Sequence, residues 1–212
     1  AQLILVAKPR YREPRWSTLR PPEAGEFDSP IMQRLLERVR RENSIEAVQV
    51  EYTYLAPYGG DVLVEHDVTF DLFEQIARKE RTLAARWDAW RWTRFERGAV
   101  RRFPRVAVMS EKDGQLLGIE HARVIPNGVD LSRFQPTPEP VGERLLFIGS
   151  FRHFPNIVAY RFFTEQVWPL LRERCPRMEL TVVAGPDPEL YWREYAGGGL
   201  PRDPRIELLG FV

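Results

Sequence analysis

A single cysteine, Cys175, in 212 residues excludes an intramolecular disulfide and fits a reducing, cytoplasmic setting. No Asn-x-Ser/Thr sequon occurs, and no apolar run approaches the roughly 20 residues of a membrane-spanning helix. Ala1 to Ala7 are apolar but lack a basic leader and a cleavage site, and Lys8 and Pro9 follow at once, so a strand is expected there rather than a signal peptide. Net charge is also scarce. With a formal value of +1, bulk electrostatics names no partner, and nucleic acid is not expected because no recognition motif appears. Three histidines without ligand spacing to one another or to Cys175 leave no metal site to expect. The Gly-x-Gly-x-x-Gly fingerprint, the P-loop and the Gly-x-Ser-x-Gly elbow are absent too. The chain also lacks an initiator Met and stops abruptly at Val212, which suggests a segment cut from a longer protein.

What is present suits a globular fold: 43% hydrophobic, 29% charged and 12% aromatic residues. Short apolar runs read as strands, at Leu3–Val6, Ala47–Val50, Asp61–Val64, Val106–Met109, Arg123–Ile125, Leu145–Ile148, Leu180–Ala184 and Ile206–Leu209. A loop is expected from Pro9 to Pro30, and a Tyr-rich loop between the second and third runs. Ile31, Leu35 and Val39 recur at helical spacing. Thr69 to Arg102 has no Pro and one late Gly, hence one long helix or two broken ones. Ser110 opens a further helix that Gly118 stops. Ala159, Phe163, Val167 and Leu170 share one face of a helix opening near Pro155, and a short helix spans Glu189 to Tyr195. The three prolines of Gln135–Pro140 mark a linker. Alternating strands and helices imply parallel sheets. The expectation is two α/β, Rossmann-like domains, both incomplete: residues 1–136, a linker at 137–142, and residues 143–212.

In such folds ligands bind beyond the carboxyl ends of the strands, which directs attention to three turns. Glu65-His66-Asp67 offers an imidazole for hydrogen bonding or proton transfer near neutral pH, or a His bonded to a neighbouring loop. Gly149-Ser150-Phe151-Arg152-His153 leads to Pro155 at a helix start, where free N–H groups and added charge suit a phosphate; an ordinary strand–helix loop is the plainer alternative. Gly185 in Ala184-Gly185-Pro186-Asp187 permits close backbone approach or serves a turn. Between Arg78 and Arg105 a basic stretch opposed only by Glu80, Asp88 and Glu96 is interleaved with Trp87, Trp90 and Trp92. It reads as a helix with a solvated basic face and tryptophans in the core, or as a surface for anionic lipid.

Val124-Ile125-Pro126-Asn127-Gly128-Val129-Asp130, with Phe134 following, resembles the crossing between domains in family 4 glycosyltransferases of the GT-B fold. Segments before and after it agree in order: Val106–Ser110, Phe147–Ser150 through Pro155-Asn156, Trp168-Pro169-Leu170, Leu180–Gly185 and Ile206–Val212. The resemblance covers most of the chain from Val62 onward. It implies transfer of a sugar from a nucleotide diphosphate sugar, usually with retention, to a glycan or lipid-linked acceptor, without a metal or other cofactor. By position it implies His66 as the cleft histidine, Gly149, Ser150 and Arg152 near the donor phosphates, and Gly185 and Val212 near the nucleotide. Peripheral contact with an anionic inner membrane face would follow from the basic stretch. The chain departs from the pattern at Ser150 and Pro155-Asn156, and it lacks both the Gly-rich loop near the family's amino end and the paired glutamates after the base-binding strand. The segment alone is therefore expected to be inactive or impaired. A non-catalytic nucleotide- or protein-binding module on a degenerate GT-B frame is the alternative, and a GT-B sugar epimerase a third.

Overall fold

The computed structural model describes residues 3–8, 16, 18–138 and 142–212. Pro9–Arg15 and Ser17 of the expected loop, and residues 139–141 of the expected linker, lie outside them. The chain divides into two compact units, Ala1–Asp130 and Leu131–Val212.

In the first unit a short helix α1 (Pro22–Gly25) and the amphipathic α2 (Pro30–Glu42) precede the sheet. The α2 helix starts where Ser29 accepts from the Met32 N–H at 3.3 Å and Pro30 occupies its first turn. The strands β1 (Gln49–Glu51), β2 (Val62–Glu65), β3 (Arg105–Val108) and β4 (Ala122–Val124) pair in that order, all parallel. A 3-10 helix, Thr53–Tyr58, replaces the expected Tyr-rich loop between β1 and β2. The long helical stretch breaks into α3 (Thr69–Glu80) and α4 (Leu83–Val100). Arg81 turns left-handed between them, and the Thr82 hydroxyl accepts from the Ala85 N–H. The helix α5 (Glu111–Leu117) has the expected ends, a Ser110 cap and a left-handed Gly118.

The second unit has β5 (Arg144–Ile148), β6 (Glu179–Val183) and β7 (Ile206–Leu209), again parallel and in chain order. Between β5 and β6 run α6 (Phe154–Phe162), a π-helical turn (Phe163–Val167) and α7 (Trp168–Arg174); α8 (Pro188–Tyr195) connects β6 to β7. Each unit thus has the strand–helix alternation of a Rossmann-like domain, with its own core. Leu63, Phe70, Trp92 and Val106 anchor the first; Phe151, Tyr160, Leu180 and Trp192 anchor the second.

Other expectations fail, among them the core placement of Trp90, which is exposed. Leu3–Val6 is no strand: it joins neither sheet, and Leu3 and Leu5 are more than four-fifths exposed (81% and 83%). Ile4, Leu5 and Val6 instead line a groove with Ile31 and Leu35 of α2; an apolar run becomes a strand only where a neighbouring ladder receives it. The shared face expected after Pro155 is also interrupted, for only Phe163 and Val167 of it are half-buried. Ala159 and Leu170 are exposed, while Ile157, Tyr160 and Trp168 are buried. Pro169 has no N–H and its ring crowds the carbonyl four residues back, so the helix widens and the Trp168 N–H reaches Phe163 O. That shift changes which side chains face the sheet.

Candidate functional site

Along β2 successive side chains alternate between faces. Glu65 therefore turns inward and is 2% exposed, while His66, just past the strand, stays at the surface with its side chain 35% exposed. Here β1 supplies a partner, since Glu51 pairs with Val64 in register. The His66 Nε2 lies 2.7 Å from Glu51 Oε2, and the Gln49 side-chain amide donates to the other carboxylate oxygen. The Gln49 bond and then the His66 bond hold the Glu51 carboxyl below its ordinary range. An ionised carboxylate only accepts, so Nε2 carries the proton and Nδ1 is the basic nitrogen of the neutral ring. The Tyr52 ring lies 4.4 Å from the imidazole, centroid to centroid, at 31°. Tyr52 takes φ +66°, a conformation that costs a bulky residue on the order of 1–3 kcal/mol. Its N–H is fixed on Val64 O at 2.9 Å.

Beneath this pair lies a buried acidic cluster. The Thr53 hydroxyl is 2.5 Å from both Glu65 carboxyl oxygens and 3.1 Å from Glu96 Oε1. Glu96 in turn accepts from the Thr69 N–H at 3.0 Å and the Phe70 N–H at 2.8 Å. It therefore caps α3 from α4, in place of Val68, which offers no capping side chain. One hydroxyl has one proton, so it cannot donate to two carboxylates. The consistent arrangement has Glu65 as the acid donating to Thr53, which donates to an ionised, twice-capped Glu96. Burial, reinforced by the Glu96 charge, pushes Glu65 up to about 8; burial also raises Glu96, against the N–H bonds of Phe70 and Thr69.

In the second unit the expected residues come together differently. Gly149 closes β5 with its N–H on Val183 O at 3.0 Å, and a Cβ there would lie 2.8 Å from the Asn156 side chain. The Asn156 amide donates to Ser150 O at 2.9 Å, and Ser150 sits against Gly185, whose missing Cβ would fall 2.6 Å from Ser150 Oγ. Gly185 also takes φ +75°. Gly149, Ser150 and Gly185 thus form one packed turn cluster, locked by Asn156. Arg152 stands apart from it: the side chain is exposed, Nε donates to the Tyr191 hydroxyl at 3.1 Å, and the guanidinium lies 5.7 Å from the Tyr191 ring centroid. Val212 is 77% exposed, two residues beyond Gly210. The expected N–H groups at the start of α6 are few, because Pro155 has none and that of Asn156 bonds His153 O at 3.0 Å.

Glu51 and Thr53 were not expected at the site, and Glu65 and Glu96 were named only as a neighbour of His66 and a counter-charge in the basic stretch. Glu51 directly follows an apolar run, the position that strand-end inspection targets. Glu96 falls four residues after Trp92 and three before Ala99, both buried, so helical spacing alone places it on the inward stripe of α4. Among the described residues no group of three or more His, Cys, Asp or Glu could hold a metal ion, and no helix is long and apolar enough to cross a membrane. No protein-family model matches the chain, and no curated protein matches it.

Proposed function

We propose that the chain is part of a glycosyltransferase that moves a sugar from a nucleotide diphosphate sugar to a glycan or lipid-linked acceptor. The observation that carries this reading is the His66–Glu51 pair at the carboxyl edge of a parallel sheet. Its tautomer is fixed by the carboxylate, and Nδ1 is left to accept a proton or hydrogen bond from an acceptor hydroxyl. The Pro126–Asp130 stretch that resembles the family's domain crossing runs between β4 and the end of the first unit, which supports the same reading. In the second unit the Gly149–Ser150 turn packed on Gly185 is the part assigned to the donor.

The test is sugar transfer by the full-length protein with a panel of labelled nucleotide sugars. His66→Ala is expected to lower kcat by about a hundredfold or more. Glu51→Gln keeps the ring but frees its tautomer, so a smaller loss with an altered pH profile is expected. Full activity in His66→Ala would remove the histidine from the chemistry.

Two observations favour a second reading, a non-catalytic nucleotide- or protein-binding module on a degenerate GT-B frame. Arg152 is engaged by Tyr191, and the first turn of α6 offers few N–H groups for a departing diphosphate. Nucleoside diphosphate binding by the full-length protein with no transfer or hydrolysis of any donor would select it.

A further inference from the structure

The side of α4 facing Leu19–Arg20 and the 3-10 helix carries an open groove of about 810 Å³, within the roughly 300–1,000 Å³ usual for small-molecule sites. Gly60 and Phe103 line it and just precede β2 and β3, so it lies at the amino edge of the sheet, opposite His66. Its apolar lining includes Leu19, Pro57, Phe95 and Phe103, and its charge has one sign. Arg20, Arg94 and Arg102 line it, and among the described residues no acidic side chain does. Arg20 is partly committed: Nη1 donates to Asp28 at 2.7 Å, and the guanidinium lies 5.9 Å from the Phe95 ring centroid. Arg94 and Arg102 are exposed; Arg94 lies over the Trp90 ring, and neither enters an ion pair among the described residues.

Between these two arginines, four residues from each, lies Gly98. The spacing sets all three on one stripe of α4 and the turn that follows it, with the arginines about 12 Å apart along the axis. A glycine inside a helix costs about 1 kcal/mol relative to alanine. Nothing local demands it: a Cβ at position 98 would meet no atom within 4 Å, and its φ is not positive. Its effect is to leave the groove open between two unpaired guanidiniums. The wall is anchored as well. Arg91, fully buried, donates to the carbonyls of Thr18 and Arg20 at 3.4 and 3.3 Å, tying that segment to α4.

We infer that this groove binds a phosphate ester with an apolar body, the phosphate between Arg94 and Arg102 over Gly98 and the body against Phe95 and Phe103. Guanidinium forks suit phosphate oxygens, and the aromatic floor suits a hydrocarbon chain. A soluble alkyl phosphate and a membrane phospholipid headgroup share that chemistry. The inference does not rest on sugar transfer, and the probes contain no nucleotide, so its failure would leave that reading untouched.

The test is calorimetric titration of the protein at low salt with hexyl phosphate and with inorganic phosphate, alongside Arg102→Ala and Gly98→Leu. Hexyl phosphate is expected to bind about tenfold more tightly than inorganic phosphate, and Arg102→Ala to weaken it by a similar factor. Gly98→Leu replaces a poor helix former with a good one and fills the groove, so it should keep or raise Tm while abolishing binding. Equal affinity for the two phosphates, or undiminished binding by a folded Gly98→Leu protein, would show only a solvated basic face and overturn the inference. If Gly98→Leu fails to fold, Arg102→Ala decides: unchanged affinity there overturns it equally. Retention on vesicles of phosphatidylglycerol in phosphatidylcholine, lost in the same variants, would assign the ester to lipid. Hexyl phosphate binding without such retention would assign it to a soluble ligand.

Discussion

The two units end their central strands by opposite means. In the first, the carboxyl edge of β2 is crowded with proton-bearing side chains: Glu65, Thr53 and Glu96 share hydrogen bonds out of solvent, and His66 rests on Glu51 above them. In the second, the ends of β5 and β6 meet through missing side chains, with Asn156 against Gly149 and Ser150 against Gly185. A polar cluster that holds a proton answers to pH. A turn built from glycine answers to volume. The first kind of edge holds titrating groups, and the second is filled from within by Asn156 and Ser150.

The largest expected effect is on the volume-sensitive edge. Gly185→Ala must accept φ +75° and a Cβ 2.6 Å from Ser150 Oγ, 3.0 Å from its Cβ and 3.3 Å from its Cα. Because the last of these is backbone, rotating the hydroxyl does not relieve it. A loss on the order of 2–4 kcal/mol is expected, measured by urea unfolding. Gly59→Ala in the first unit is the matched control, since it has φ +69° but nothing within 4 Å. Its ψ of 158° puts it in a region nearly confined to glycine, so it should lose on the order of 1–3 kcal/mol, the conformational part without the clash. Equal losses at the two positions would mean that packing against Ser150 contributes nothing.

Next in size is a pH effect confined to the first unit. Glu65 keeps its proton to about 8 when folded, against an ordinary value of 4.5. Between those limits the unfolded chain has released the proton that the folded one still binds. This group therefore makes stability fall as pH rises from about 4.5 to about 8, and the cost stays constant above that. Glu65→Gln keeps a donor toward Thr53 without a titrating proton, so its stability should be flatter over the same window. Near pH 4.5 the two proteins should be alike; by pH 9 the variant should be more stable, on the order of a few kcal/mol. Glu96, whose carboxyl burial also raises, contributes to any slope left in the variant. Parallel curves for wild type and variant would dismiss the shared proton.

These two edges also differ in how far the sequence revealed them. Seven of the apolar runs became strands because a neighbouring ladder received each, and the shifts at their ends have local causes. Asp61 lies outside β2 because its carboxylate accepts from the Val48 N–H at 2.8 Å, and Val48 precedes β1 for the same reason. Gly149, Ser150 and Gly185 were legible because a glycine after a strand signals an unusual turn, although the side chain filling each gap was not. The acidic cluster was hidden because Thr53 and Glu96 are 43 residues apart, and a glutamate in a basic helix reads as a solvated counter-charge. Only packing the 3-10 helix against both β2 and α4 brings the two carboxyls to one hydroxyl.

Two smaller effects sharpen the comparison inside the second unit. Asn156→Ala removes the bond to Ser150 O and the group packed on Gly149, with an expected loss of about 1–2 kcal/mol. Arg152→Ala removes only an exposed contact with Tyr191, and a change within about 0.5 kcal/mol is expected. If Arg152→Ala nevertheless weakened nucleoside diphosphate binding by the full-length protein, the guanidinium would have to leave Tyr191 when the ligand arrives.

The last effect concerns a buried hydroxyl of the second core that has no partner among the described residues. Tyr160 is fully buried among Phe147, Phe151 and Trp192, its hydroxyl has no hydrogen-bond partner among the described residues, and burial pushes it up to about 12. A buried hydroxyl without a hydrogen bond is a cost that phenylalanine avoids while keeping every ring contact. Tyr160→Phe should therefore be neutral or gain up to about 1 kcal/mol in thermal or urea unfolding. A clear loss would show that the hydroxyl has a partner in solution, such as a bound water in the cavity of about 540 Å³ that Tyr160 lines with Leu200 and Leu208. The second unit would then hold a polar interior position of its own, and the contrast with the first would narrow from the presence of buried polar groups to their charge.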